Sequence, residues 1–225
     1  MASKQELRQQ RQQKQLNHAL IEAAKQGSLA DIQSLLARHA NINARDRNNH
    51  TPLHHASMNG HHQCIELLLD RHANIDARDQ NNSTPLHLAS FNGHHQCIEL
   101  LLDRHADVDA RAFTNSTPLH YTSSKGNHQC IELLLDRHAD VNALAYNNYT
   151  PLHLASKHGH PQCIELLLDH GADIHARDNS QLTPLHHASL NANRRCIQTL
   201  LDYGADKSLI TVRISLSQHM QAYLS

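Results

Sequence analysis

The sequence predicts an all-α solenoid of about six stacked helix–turn–helix units, with projecting β-turns and helical caps at both ends. Two observations carry this prediction. The tetrapeptide Thr-Pro-Leu-His begins at Thr51, Thr84, Thr117, Thr150 and Thr183, each 33 residues after the last. The five cysteines keep the same 33-residue spacing and stand at Cys64, Cys97, Cys130, Cys163 and Cys196. Each cysteine is therefore one position of a repeat that is copied five times.

One copy of the repeat contains the local signals for two short helices. Thr84 is a good N-cap, Pro85 suits the first helical position, where no N–H is required, and Gly93 can end the helix. Residues 96–103 then place one cysteine and four aliphatic side chains on the broad apolar face of a second helix. Because neither helix can bury that face alone, we expect successive copies to stack.

This pattern resembles the ankyrin repeat family, whose unit of 33 residues carries the signature T-P-L-H-x-A. The resemblance implies five repeats over residues 49–206. The stretch "LIEAAKQGSLADIQSLLARHANINARD" is similar to a further repeat without the tetrapeptide, so residues 16–48 are predicted to form an N-terminal capping repeat. The predicted fold is thus an ankyrin repeat solenoid.

The two ends of the chain depart from the repeat, as terminal units must when one face meets water. Ser3 and Glu6 form a capping-box pattern, which predicts that residues 1–15 are a polar helical extension. Residues 207–225 lose the repeat pattern and are predicted to form a C-terminal cap. The apolar side chains expected to cover the last repeat are Ile214, Leu216, Met220 and Leu224.

Composition narrows the classes of function. The formal net charge is −1, so no strong field attracts the chain to nucleic acid or to an anionic membrane, and neither partner is predicted. The N-terminus lacks the apolar stretch of a secretion signal, and no apolar run is long enough to cross a membrane. We therefore expect a cytoplasmic protein that is a monomer.

The abundance of histidine and cysteine suggests a metal site or an active site, but the repeat favours a structural role. In the family the Thr and His of the tetrapeptide pair across the first helical turn, which implies structural roles for Thr51, His54, Thr84, His87, Thr117, His120, Thr150, His153, Thr183 and His186. His61, His94 and His160 are expected to bond to neighbouring loops. The cysteines fall among the apolar positions of the second helix. We therefore predict no metal, no cofactor and no catalytic residue, because ligands that recur along a line do not converge on one point.

A further set of residues replaces the glycines that the family prefers. His39, His72, His105 and His138 stand where the second helix ends, and Asn49, Asn82, Asn115, Asn148 and Gln181 stand in the projecting turns. Asn and His are enriched among non-glycine residues with a left-handed backbone, so we expect positive φ angles at these positions.

The positions that vary between copies mark the expected partner-binding surface. The family binds other proteins on the concave surface of its turns and first helices, which implies contacts from Arg47, His50, Met58, Gln80, Phe91, Phe113, Ser124, Tyr146, Tyr149, Lys157, Leu182 and Leu190. Both phenylalanines and two of the five tyrosines of the chain are in this set. Aromatic residues ringed by polar ones are typical of a binding hot spot. The predicted function is therefore a non-enzymatic scaffold for an intracellular protein partner.

Other interpretations remain open at this point. The chain could be a histidine-rich metal-binding or enzymatic module, or a structural unit that self-associates through its early N-terminal helix. The family also occurs in effectors that intracellular bacteria deliver into the host cytosol. Finally, the resemblance implies that Asn43 and Asn142, in "INA" and "VNA", are candidates for asparagine hydroxylation.

Overall fold

The computed structural model describes residues 3–208. Within these residues every regular element is helical, so the predicted all-α fold is confirmed. The α-helices are α1 (Lys4–Gln26), α2 (Leu29–Ala37), α3 (Pro52–Met58), α4 (His62–Asp70), α5 (Pro85–Asn92), α6 (His95–Asp103), α7 (Pro118–Lys125), α8 (His128–Asp136), α9 (Pro151–His158), α10 (Pro161–Asp169), α11 (Pro184–Leu190) and α12 (Arg194–Asp202). A short 3-10 turn covers Tyr146–Asn148.

The helices form two layers. The odd-numbered helices pack on one another in chain order, and the even-numbered helices do the same in the second layer. Each odd-numbered helix also packs on the even-numbered helix that follows it. Each unit therefore packs mainly on its immediate neighbours, as in a solenoid.

The space between the layers holds the apolar core. Ile65, Ile98, Ile131 and Ile164, one from each of four successive copies, have no exposed surface. All five cysteines are free and buried beside them. Burial raises the pKa of the Cys97 and Cys130 thiols to about 11, so these side chains are neutral at pH 7. They pack as small apolar groups.

The first helix of each copy begins at the Thr of the tetrapeptide. The backbone N–H of Thr84 donates to Nδ1 of His87 at 3.1 Å, and the backbone N–H of His87 contacts Oγ1 of Thr84 at 3.4 Å. The equivalent reciprocal arrangement is present at all five copies. Pro85 occupies the first turn, where its missing N–H costs nothing, and Gly93 ends the helix with a φ of 72°.

The same histidines connect each copy to the next. With Nδ1 accepting from the threonine N–H, the Nε2–H of His87 donates to the carbonyl of Ser116 at 3.0 Å. His54, His120 and His153 make the equivalent bonds to the carbonyls of Ser83, Tyr149 and Leu182. Each bond joins a first helix to the turn that enters the following copy.

The histidines that precede the second helices bond to the preceding copy, whereas the tetrapeptide histidines bond to the following one. Nε2 of His61, His94 and His160 lies 3.0 to 3.1 Å from the carbonyls of Lys25, Met58 and Ser124, respectively. Each acceptor belongs to the last turn of the first helix in the preceding copy. The sequence had suggested that these histidines bond to loops, and that expectation is wrong. A helix end leaves its last carbonyls unpaired, so this site is the natural acceptor for a neighbouring donor.

The two ends of the chain differ in what the structure describes. Ser3 and Glu6 form a complete capping box, and residues 3–15, which comprise this cap and the first half of α1, are exposed. The first buried side chain of α1 is Leu16. At the other end, the predicted covering residues Ile214, Leu216, Met220 and Leu224 lie outside the described residues.

The backbone is left-handed at the expected non-glycine positions. His39, His72, His105 and His138 have φ angles between 64° and 66°, and Asn49, Asn82, Asn115, Asn148 and Gln181 lie between 58° and 61°. Gly171 and Gly204 occupy the histidine position in later copies, with φ angles of 86° and 89°. The second helix of a copy thus ends at a left-handed residue that is histidine in some copies and glycine in others.

This left-handed backbone predicts that His72→Gly stabilises the protein. A left-handed φ is strained for a residue with a Cβ and free for glycine, so we expect the free energy of unfolding to rise by about 0.5 to 1 kcal/mol. The measurement is a urea denaturation curve. Gly171→His is the matched control, because a Cβ at Gly171 would meet no atom within 4 Å and tests the backbone alone. It should lower the urea midpoint, and an unchanged or lower midpoint for His72→Gly would contradict the idea.

The buried histidines predict a loss of stability in mild acid. Burial lowers the pKa of His54, His87, His120 and His153 to about 4, below the value of about 6.5 for an unfolded chain. Between these two values the unfolded state binds more protons, so stability falls as the pH drops from about 6.5 toward 4, by at most about 1.4 kcal/mol per pH unit for each histidine.

Urea midpoints at pH 7.5 and pH 5 measure this effect. His87→Gln keeps a capping-box side chain but removes one titrating group, and it should make the pH dependence shallower. Equal midpoints at the two pH values would show that these histidines are not held neutral by the fold.

Candidate partner-binding surface

The projecting turns form a continuous ribbon along one side of the molecule. Backbone N–H groups of Gln80, Phe113, Tyr146 and Asn179 donate to carbonyls of the preceding turn at 2.8 to 3.0 Å. A second set of bonds comes from arginine side chains; Arg78 Nη1, for example, donates to the carbonyl of Arg111 at 2.8 Å. The turns therefore hold their variable side chains in defined positions relative to one another.

A cleft of about 470 Å³ opens between the turns and the first helices of the first three copies. Its apolar wall comes from Met58, Leu88, Phe91, Phe113 and Tyr121, and its polar wall includes His50, Asp79, Asn81, Ser83, His87, Asn92 and Thr114. Hereafter "the cleft" means this set of residues. Four of the predicted surface residues line it, namely His50, Met58, Phe91 and Phe113.

The aromatic residues of the cleft differ in how firmly they are held. Phe91 is 43% exposed, and its ring lies 5.9 Å from that of the half-buried Tyr121 in an edge-to-face contact. The Lys125 ammonium lies 4.1 Å from the centre of the Phe91 ring. Phe113 is 84% exposed at the tip of its turn. The cleft thus combines one supported aromatic ring with one that is almost entirely in solvent.

The two predicted tyrosines form a separate group farther along the solenoid. Tyr149 is half-buried, and its ring centre lies 5.1 Å from that of His187 and 5.8 Å from that of His153. Lys157 lies above the same ring at 5.3 Å. Tyr146 is 69% exposed in the 3-10 turn. The four aromatics therefore do not form one patch, since neither tyrosine lines the cleft.

The other predicted contact residues spread over the same side of the molecule without lining the cleft. Arg47, Gln80 and Leu190 are exposed, whereas Ser124, Lys157 and Leu182 are half-buried. Tyr121 lines the cleft but is not among the contacts that the sequence predicted. The signal that could have included it is its position, which holds Leu or His in every other copy.

Three side chains of types that can bind a metal lie together near the start of the first copy. Asp46, His50 and His55 each offer one ligand atom, and these atoms all lie within 4.8 Å of one another. We call these three residues the Asp–His cluster. The arrangement departs from the expectation that histidines recur only along a line, because His50 and the Asp46 carboxylate are not present in every copy. The distinguishing signal was again a departure from the repeat.

The two asparagines proposed for hydroxylation hold neighbouring turns together. Oδ1 of Asn43 accepts from the backbone N–H of Asn74 at 2.9 Å, and Oδ1 of Asn142 accepts from that of Asp173 at 2.8 Å. Their side-chain amides are thus engaged between copies, and their modification stays a prediction.

Comparison with known proteins identifies the protein family of this chain. A sequence profile described as "Ankyrin repeats (3 copies)" matches residues 20–112 and 119–211, and one described as "Ankyrin repeats (many copies)" matches residues 93–135. The chain belongs to the ankyrin repeat family. Such repeats generally mediate protein–protein interaction. Along the described residues, no helix is both long and apolar enough to cross a membrane.

Among solved structures, the chain is similar to the human ASB11 ankyrin repeat domain, with 31% sequence identity and a TM-score of 0.77. The match covers 83% of this chain and 84% of that one. It is one of 576 solved chains that match, so the likeness identifies the fold without selecting a partner. The search of curated proteins found no match.

Proposed function

We propose that this protein is a non-enzymatic scaffold that binds a protein partner in the cleft, with Phe91 and Phe113 as the main anchors. The observation that carries the proposal is that both phenylalanines of the chain are exposed on one cleft, at positions where no other copy has phenylalanine. The scaffold does not require phenylalanine there, because the other copies have Met, Ser, Lys or Leu at the position of Phe91 and Arg, Gln, Tyr or Asn at the position of Phe113.

The energetics of the cleft support this role. Moving an exposed phenylalanine out of water contributes about 1.5 to 3 kcal/mol, so two such residues can supply much of the affinity of a small interface. Hot spots take this form, with aromatic anchors at the centre and polar residues around them. The Lys125 ammonium beside Phe91 favours a partner that carries an acidic residue next to the apolar side chain that enters the cleft.

The histidines and cysteines that recur in the repeat have structural roles in this fold. Four histidines of the tetrapeptides bond to both a threonine and the next turn, and burial keeps them neutral at pH 7. The cysteine thiols lie in the core with raised pKa values. These assignments support a binding function over an enzymatic one.

Two further observations bear on the setting of this function. Five unbridged thiols suit a reducing compartment such as the cytoplasm. The exposed part of α1 is dominated by Gln, Lys and Arg, with Leu7 as an exposed apolar side chain, which gives little apolar area for pairing. We therefore propose a cytoplasmic monomer.

Alanine substitutions in the cleft test the proposal. A partner is first isolated by affinity purification and identified by mass spectrometry, and the purified pair is then measured by isothermal titration calorimetry. Phe113→Ala and Phe91→Ala should each weaken binding by at least about tenfold, which corresponds to about 1.4 kcal/mol.

Tyr203→Ala is the matched control, because Tyr203 is as exposed as Phe91, at 43%, but lies at the end of α12 in the other layer. It should leave the affinity unchanged. Tyr146→Ala reports whether the second aromatic group also belongs to the interface. Unchanged affinity in both phenylalanine variants would disprove the proposed anchor sites.

A further inference from the structure

We propose that the Asp–His cluster binds a zinc ion between α3 and the turn that precedes it. The ligands would be one Asp46 carboxylate oxygen, Nδ1 of His50 and Nε2 of His55. Zinc binds sets of two imidazoles and one carboxylate with water in the fourth position. Magnesium and calcium instead prefer all-oxygen ligand sets, so the cluster favours zinc.

The distances between the ligand atoms are close to those that zinc requires. Zinc bonds of about 2.0 to 2.2 Å in a tetrahedron place the ligand atoms roughly 3.4 Å apart. Oδ2 of Asp46 lies 2.8 Å from Nε2 of His55 and 3.7 Å from Nδ1 of His50. The three ligand atoms all lie within 4.8 Å of one another, so side-chain rotations that draw the two histidine nitrogens together would bring all three to bonding distance of one ion.

Outer contacts hold two of the ligands in position. Oδ1 of Asp46 accepts the backbone N–H groups of Asn48 and His50, both at 2.9 Å, which leaves Oδ2 to face the histidines. Nε2 of His50 lies 3.2 Å from a carboxylate oxygen of Asp79, whose side chain is only 1% exposed. A carboxylate that accepts from the second ring nitrogen of a ligating histidine is the usual outer partner at zinc sites.

The other copies show that the full ligand set is not part of the repeat. The fifth copy keeps the pair, with Nε2 of His187 at 2.8 Å from Asp178, but has Leu182 where the first copy has His50. The second copy keeps the aspartate as Asp79 but has serine and leucine at the two histidine positions, and the third and fourth copies have alanine in place of the aspartate. An Asp–His pair can therefore serve the fold alone, whereas His50 adds a third ligand that the fold does not need.

The cluster is accessible to an ion. The side chains of Asp46, His50 and His55 are 22%, 13% and 6% exposed, so the ligand set is partly shielded but keeps some contact with solvent. His50 also lines the cleft. Water can complete the coordination in the free protein.

Zinc titration of the purified chain tests this inference without a partner. In competition with a chromogenic chelator, the wild-type protein should bind one equivalent of Zn²⁺ more tightly than all its other histidines do. His50→Leu and His55→Leu should each weaken that equivalent by more than about 100-fold, and Asp79→Asn should weaken it by about 10- to 100-fold. Leucine is the residue of other copies at both histidine positions, so these variants are expected to fold.

His187→Leu is the matched control, since it removes the histidine of the incomplete set in the fifth copy. It should leave the tight equivalent unchanged, while circular dichroism melts without zinc check that every variant is folded. Co²⁺ supplies a second readout, because a tetrahedral site gives intense visible absorption, which should be present in the wild type and in His187→Leu and lost in His50→Leu.

Three results would overturn the proposal. They are wild-type binding no tighter than that of His50→Leu, equal weakening by His187→Leu and His50→Leu, and no tetrahedral Co²⁺ spectrum in the wild type. The first of these would assign the binding to scattered surface histidines.

Discussion

The architecture depends on a neutral histidine buried at the start of the first helix in four successive copies, at His54, His87, His120 and His153. Its Nδ1 accepts from the capping threonine N–H, and its Nε2–H donates to a carbonyl of the next turn, as at His87 between Thr84 and Ser116. One ring therefore both begins a helix and fixes the distance to the following copy. Only the neutral imidazole can do this, because a charged ring has no acceptor. Together with the backbone and arginine bonds between turns, this pair of bonds positions each turn against the helix before it.

Because the repeated residues have structural roles, the residues that differ between copies are the candidates for a binding function. The cysteines pack in the core, and the tetrapeptide histidines link neighbouring copies. The His, Asn and Gln residues that replace the family's glycines have a left-handed backbone. Phe91, Phe113, Tyr121 and His50 are not explained by any of these duties. All four line one cleft. A solenoid in which each unit contacts mainly its neighbours tolerates such local changes, since their structural consequences stay within one or two copies.

The cleft and the Asp–His cluster share His50, and Asp79 contacts that histidine from the wall of the cleft. A partner bound over Phe91 and Phe113 would therefore lie close to a proposed zinc ion with an open coordination position. The two hypotheses nevertheless depend on separate groups. Phe113 takes no part in the ligand set, and His55 takes no part in the lining of the cleft. Variants at these residues can separate loss of the partner from loss of the metal.

The sequence by itself determined the repeat length, the helix boundaries, the buried cysteines and the left-handed positions, because each of these follows from local signals copied at a constant spacing. It also indicated which positions vary between copies and hence which side of the molecule is the candidate binding surface. Only the tertiary structure decided which of those variable residues meet. Phe91 and Phe113 share a cleft, Tyr149 packs among histidines, and Asp46 faces two histidines, since each of these contacts depends on how a turn lies against a helix or the turn of another copy. The distances in the cleft are set by stacking between units, which no single copy of the sequence encodes, whereas those around Asp46 are set by how one turn lies on the helix that follows it.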